Sequence, residues 1–171
     1  MRVAIVYESM YGPTHVCASA MADALAGRAD VVLLRVAQAL PELLGAPDLL
    51  LAGAPEQHHG LSSPLRRHED AAMHGRGPEP DAGSIGLREW MESAAFSASA
   101  FAAFETTTRA MGRPGPAVRA IDRALRSRGL APAADPAGFR TDPAGRTLMA
   151  GEAERAAAWA LVVAGARQER T

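Results

Sequence analysis

The sequence predicts an α/β fold built on parallel strands, and three observations carry that prediction. Residues 2–7, 31–34 and 49–52 are short apolar runs without alternation, the pattern of strands covered on both faces. A helical pattern separates the first two runs and a short crossover separates the second from the third. Strand, helix, strand, crossover and strand within residues 2–52 is the signature of parallel pairing.

In order, residues 2–7 form the first strand and residues 8–14 a polar turn. Pro13 suits the first helical position, where its missing N–H costs nothing. The helix runs from Pro13 or Thr14 to Leu25 on a stripe of Val16, Ala20, Met21, Ala24 and Leu25, and the chain leaves it at Gly27. Cys17 flanks that stripe as a small packing residue. The second strand is residues 31–34, one helical turn follows at residues 41–44, and the third strand, 48–52, is closed by Gly53, Ala54 and Pro55. Residues 56–83 read as a long irregular segment with a short solvated helix from 66–70 into 71–73 and an extended Gly/Pro-punctuated loop after it. Such length points to a segment that is either mobile or functional, closing over a ligand or making a homodimer contact.

Ser84 is placed to cap a helix carrying Leu87, Trp90, Met91 and Ala94. Residues 98–104 form the fourth strand, followed by the polar cluster Glu105, Thr106, Thr107, Thr108 and Arg109 and a turn at 112–116. Val118, Ile121 and Leu125 stripe a helix that Gly129 stops. Residues 130–134 make a fifth strand, at an edge because Pro132 cannot donate to a ladder. Residues 135–145 read as turns around Phe139, and 147–149 as a short extended piece. A last amphipathic helix, from Glu152 to about Arg167, buries Ala156, Trp159, Ala160 and Val163. Trp90 and Trp159 anchor the core. No repeat or linker divides the 171 residues, which are read as one domain.

Composition narrows the function. Eighteen basic and nineteen acidic residues leave a net charge of −1. The arginines at 119, 123, 126 and 128 lack interleaved aromatics and read as the solvated face of a helix, so no nucleic acid is expected. The single Cys excludes an internal disulfide and an all-cysteine metal site. The opening apolar run stops at Glu8, too short for a leader, and no window is apolar enough for a membrane span. A cytoplasmic protein is expected. His58 and His59 are poorly spaced as metal ligands; His68 and His74 lie near Glu69 and Asp70, but without a zinc pattern. No Ser sits in a Gly-x-Ser-x-Gly elbow.

Three polar clusters follow strand ends, at residues 9–14, 54–60 and 105–112. Ligands of open parallel sheets bind outside the carboxyl ends of the strands, where strand order reverses. The first cluster joins a strand to a helix N-terminus, whose free N–H groups favour an anion. It lacks both the Gly-Lys-Ser/Thr of nucleoside-triphosphate sites and the three glycines of a dinucleotide fingerprint.

Residues 7–14, Tyr-Glu-Ser-Met-Tyr-Gly-Pro-Thr, resemble the opening motif of flavodoxins: a hydroxyl residue, two positions, Gly, one position, Thr. Gly53-Ala54-Pro55 with the His-Gly that follows, Ala103-Phe104, and the ending from Gly151-Glu152 to Trp159 resemble short bacterial flavodoxin-domain proteins. The resemblance implies a doubly wound five-stranded sheet in the order 2-1-3-4-5. It implies FMN as cofactor, and electron transfer with a redox partner protein or reduction of a small-molecule acceptor. On that resemblance Ser9, Met10, Tyr11, Gly12 and Thr14 hold the phosphate. Ala54, Pro55, His58, His59, Thr106, Thr107 and Arg109 surround the ring. Many flavodoxins carry Thr before the glycine and Asn after it, where this chain has Tyr11 and Pro13. The ring loops hold Glu56 and Arg109 and no large aromatic, so stacking falls to His58 or His59. The alternative reading is a flavodoxin fold without flavin, acting as a binding or scaffold protein.

Overall fold

The structure, a computed structural model, describes residues 1–57, 59–74, 85–109 and 114–169. In chain order the elements are β1 (Arg2–Tyr7), α1 (Pro13–Leu25), β2 (Asp30–Arg35), a 3-10 turn (Val36–Gln38), α2 (Pro41–Leu44), β3 (Leu49–Pro55), α3 (Pro64–His74) and α4 (Leu87–Ser93). Then come β4 (Ala100–Thr107), α5 (Pro116–Ser127), β5 (Ala131–Pro132), β6 (Ala137–Arg140) and α6 (Glu152–Gln168). The strands form one parallel sheet in the order β2-β1-β3-β4-β5, with β6 also paired to β4.

Unalternating strands have two apolar faces, and each face meets its own layer. Val3, Ile5 and Tyr7 of β1, with Leu49, Leu51 and Phe104, pack under α1 and α6. Ala4 and Val6, with Leu50, Ala52, Phe101 and Ala103, pack under α2, α4 and α5. Every one of these side chains is at most 2 % exposed, as expected for a central sheet covered on both sides.

Four elements differ from expectation. The inward stripe of α1 is Thr14, Cys17, Ala18, Met21 and Leu25, while Val16 is 45 % exposed. This face meets α6 as well as the sheet, opposite Ala156 and Ala160, and small side chains allow that approach. Cys17 is therefore in the stripe; burial pushes its thiol up to about 12, an inert packing group. The fourth strand extends through Glu105, Thr106 and Thr107, because β3 pairs with it on one side and β6 on the other. The fifth strand is split. β5 pairs at Ala100 and Phe101, and β6, containing Phe139, pairs from Phe104 to Thr107 along the same edge of β4. Ala133 still donates its N–H to the Phe101 carbonyl at 2.7 Å; the ladder then lapses over residues 134–136, where Pro136 supplies no N–H, and resumes at Ala137. Finally, the segment after β3 contains an eleven-residue helix, and Arg67 on it is 3 % exposed rather than solvated. The Ser84 cap, the loop at 75–83 and the start of the 112–116 turn lie outside the described residues.

No helix among the described residues is long and apolar enough to cross a membrane. Nor do three or more His, Cys, Asp or Glu side chains among them group to hold a metal ion.

Candidate functional site

The register of the sheet brings three strand ends level. Tyr7 pairs with Gly53 and Gly53 with Phe104, so the residues after each emerge at one edge. Because β2 lies on one side of β1 and β3 on the other, this edge is where strand order reverses. A cleft of about 780 Å³ opens there. Its walls are Ser9, Met10, Tyr11, Pro13 and Thr14 after β1, Pro55, Glu56 and Gln57 after β3, and Thr106 and Thr108 of β4 and its loop. A fourth wall, residues 143–146 with Arg146, and Asp70 of α3 complete it.

The first loop is organised by one hydroxyl. Ser9 Oγ accepts the N–H of Gly12 at 3.2 Å and of His15 at 3.4 Å, so its own O–H remains a donor. Gly12 has φ 111°, a conformation glycine adopts without Cβ strain, and it starts α1 with no side-chain cap. Thr14 Oγ1 lies 2.8 Å from Thr106 Oγ1, both side chains being buried. One of these hydroxyls donates to the other, and the second proton of the pair is left for a ligand. The Tyr11 hydroxyl is buried without a hydrogen-bond partner among the described residues. Burial and Asp70 push this phenol up against the opposing pull of Arg146, which keeps it protonated and a donor. The Arg146 guanidinium lies over the Tyr11 ring, 4.9 Å from its centroid. A cation, several free donors and a helix N-terminus make this end of the cleft suited to an anion.

The other end is polar and partly closed on itself. Glu56 Oε2 accepts from Thr107 Oγ1 at 2.6 Å and Oε1 from Arg109 Nε at 2.7 Å. Arg109 Nη2 is 2.8 Å from His59 Nδ1; a guanidinium only donates, so Nδ1 accepts and the ring proton is on Nε2. Glu56 therefore carries no uncompensated charge. Thr107 and Arg109 are tied to it, and His59 to Arg109, rather than lining the cleft. Ala54 is buried inside β3 and Gly12 sits at the helix start; Ser9, Met10, Tyr11, Thr14, Pro55 and Thr106 do face the cleft. His58 lies outside the described residues.

Glu105, expected in the ring-binding cluster, does something else. Its buried carboxylate accepts the N–H of Gly115 at 2.6 Å and of Val118 at 2.9 Å, and so caps α5 from the neighbouring strand. Glu8 acts similarly beneath the first loop, accepting the N–H of Leu87 at 2.8 Å at the start of α4. Arg146 and Asp70 were not foreseen as cleft residues. A readable signal existed for the first. The Asp142 carboxylate accepts the N–H of Arg146 at 2.7 Å and of Thr147 at 3.0 Å, the turn chemistry that an Asp-Pro-x-Gly run suggests.

No protein-family model matches the sequence, and no curated protein matches it. Solved structures do. An archaeal flavodoxin aligns over 98 % of this chain and 99 % of its own, at 16 % identity and a TM-score of 0.65. Flavodoxin 2 from Bacillus cereus aligns over 96 % and 99 %, at 20 % identity and a TM-score of 0.63. The chain has a flavodoxin-like fold. The Flv1 flavodiiron core from Synechocystis also aligns, over 97 % of this chain but 36 % of its own, at 18 % identity and a TM-score of 0.57. In the flavodoxin-like frame the cleft occupies the switch-point edge, with the turn at 143–146 as an added wall from the approach to α6.

Proposed function

We propose that this flavodoxin-like chain binds FMN in the cleft, phosphate toward the first loop, and works in electron transfer or flavin-dependent reduction. The observation that carries the reading is the buried, unpartnered Tyr11 hydroxyl beside Arg146 at the N-terminus of α1. Ser9, the Thr14–Thr106 pair and Tyr11 would donate to the phosphate, and Arg146 would offset its charge. When bound, the flavin supplies the redox chemistry, so no side-chain acid or base is required of the protein. The chain's own residues bind, orient and exclude water. Arg109 neutralises Glu56, which removes a carboxylate charge that would oppose electron uptake nearby.

Purified protein should carry the visible absorbance of flavin, or quench added FMN saturably when stripped. A colourless protein that does neither overturns the reading. Thr14→Val should weaken FMN by about tenfold, the order of one lost hydrogen bond to a charged group, and change riboflavin, which lacks the phosphate, far less. Equal losses would place the anion elsewhere.

A second reading is favoured by one observation. Tyr11 is the one aromatic ring among the described residues lining the cleft, so stacking for a flavin ring is sparse. Saturable binding of a phosphorylated small molecule without FMN binding would select a flavin-free binding protein.

A further inference from the structure

A second cavity lies away from the cleft, between α4 and α5, with a volume of about 440 Å³. Its floor is apolar: Leu61 and Met91 are buried in the core, and Ala120 and Ala124 pack against the same cluster. Its rim is cationic. Among the described residues Arg88 donates only to main-chain carbonyls, of Leu61 at 3.1 Å and Ser62 at 3.3 Å. Arg128 likewise donates to the carbonyls of Met91 at 2.5 Å and Ala94 at 2.7 Å, with its guanidinium 4.5 Å from the Phe96 ring centroid. Carbonyls orient a guanidinium without neutralising it. Arg123 has no polar partner among the described residues. Against these three cations stands a single lining carboxylate, Glu92. The groove thus concentrates positive charge in a chain whose net charge is −1.

From this combination we infer that the α4–α5 groove docks an acidic, amphipathic segment of a partner protein, apolar side chains on the floor and carboxylates toward Arg88, Arg123 and Arg128. Charge complementarity commits the occupant to an anion, and the apolar floor commits it to one with hydrophobic side chains. Met and Arg around a desolvated centre are the composition of protein interfaces. A nucleic acid would want aromatic platforms, and none lines the groove. Two of the cations are held in place before docking, so little side-chain order is lost on binding. Leu61 of the groove and Gln57 of the cleft belong to one short connection between β3 and α3, so a docked segment sits one loop away from the switch-point cleft. The inference does not require a bound flavin.

The test uses the full chain and a fluorescein-labelled amphipathic peptide with Leu on one face and Glu on its flanks, read by fluorescence anisotropy. Saturable binding that weakens with salt is expected, and none to the version with Lys in place of Glu. Arg123→Glu, at an exposed and unpaired side chain, should weaken the peptide by about tenfold or more. Arg126→Glu, on the same helix but outside the groove and paired with Asp122, should change it by no more than about threefold. Equal losses from both variants would show diffuse attraction to α5 and overturn the proposal. So would absence of peptide binding, or binding to vesicles of phosphatidylcholine and phosphatidylglycerol without binding to the peptide.

Discussion

Several charged residues here act on main chain rather than on ligand. Glu105 and Glu8 each place a buried carboxylate on N–H groups that open a helix: Glu105 stands in for a local cap on α5, and Glu8 adds to the Glu89 contact with the Gly86 N–H at α4. Such a cap is contributed across the fold, so it couples helix position to the sheet. It also has a pH signature. Burial pushes the Glu8 carboxyl above its usual range, despite Ser62, the Leu87 N–H and Arg67, which pull the other way. The folded state then holds the proton more tightly than the unfolded one. The contribution of Glu8 is complete below its unfolded value, about 4.5, and falls away as pH rises through the higher folded value. Glu8→Gln removes that titration while an amide oxygen can still accept from Leu87. Its melting temperature, relative to the parent, should therefore rise more at about pH 8 than at about pH 4. Parallel shifts at both pH values would mean that Glu8 is not the titrating group.

At the scale of elements, the junction of β3 and β4 sets the geometry of the site. Phe104 lies flat against Gly53, where a Cβ would come within 2.1 Å of its ring. The ring cannot retreat, because Phe139 and Trp159 meet it edge-on, each with centroids 6.3 Å away. Gly53→Ala should destabilise the protein by about 1–3 kcal/mol in urea unfolding, the usual penalty of overpacking a filled core. A neutral substitution would contradict this packing. The ion pair of Arg67 with Glu89, at 2.6 Å, is a second junction, joining α3 to α4. With Ser62 also bound to Arg67 at 2.7 Å, the start of α3 is tied both to the connection preceding it and to α4.

Across the whole molecule, the cleft draws on residues as far apart as Ser9 and Arg146. A ligand that binds there binds only the folded chain. FMN at about a hundred times its dissociation constant should then stabilise by roughly 2.7 kcal/mol, seen as a raised melting temperature. Riboflavin at the same concentration should raise it less, lacking the phosphate. No shift with FMN would count against the proposed cofactor, whatever the fold.

Much of this architecture was legible in order along the chain. Strands with two apolar faces, a Pro at the first helical position and a hydroxyl-x-x-Gly-x-Thr turn are local patterns, and local sterics and hydrophobic burial decide them. Phe139 was not legible, since a Gly/Pro-rich stretch looks like turns until β4 offers an unpaired edge. Neither were the roles of Glu105 and Glu56, whose positions suggested ring contacts. The sequence by itself determined the parallel α/β class and the place of the loop proposed to hold an anion. Only the tertiary structure decided which charges face a ligand, because Arg109, Glu105 and Arg67 meet partners from other elements, and such pairings leave no periodicity in the chain.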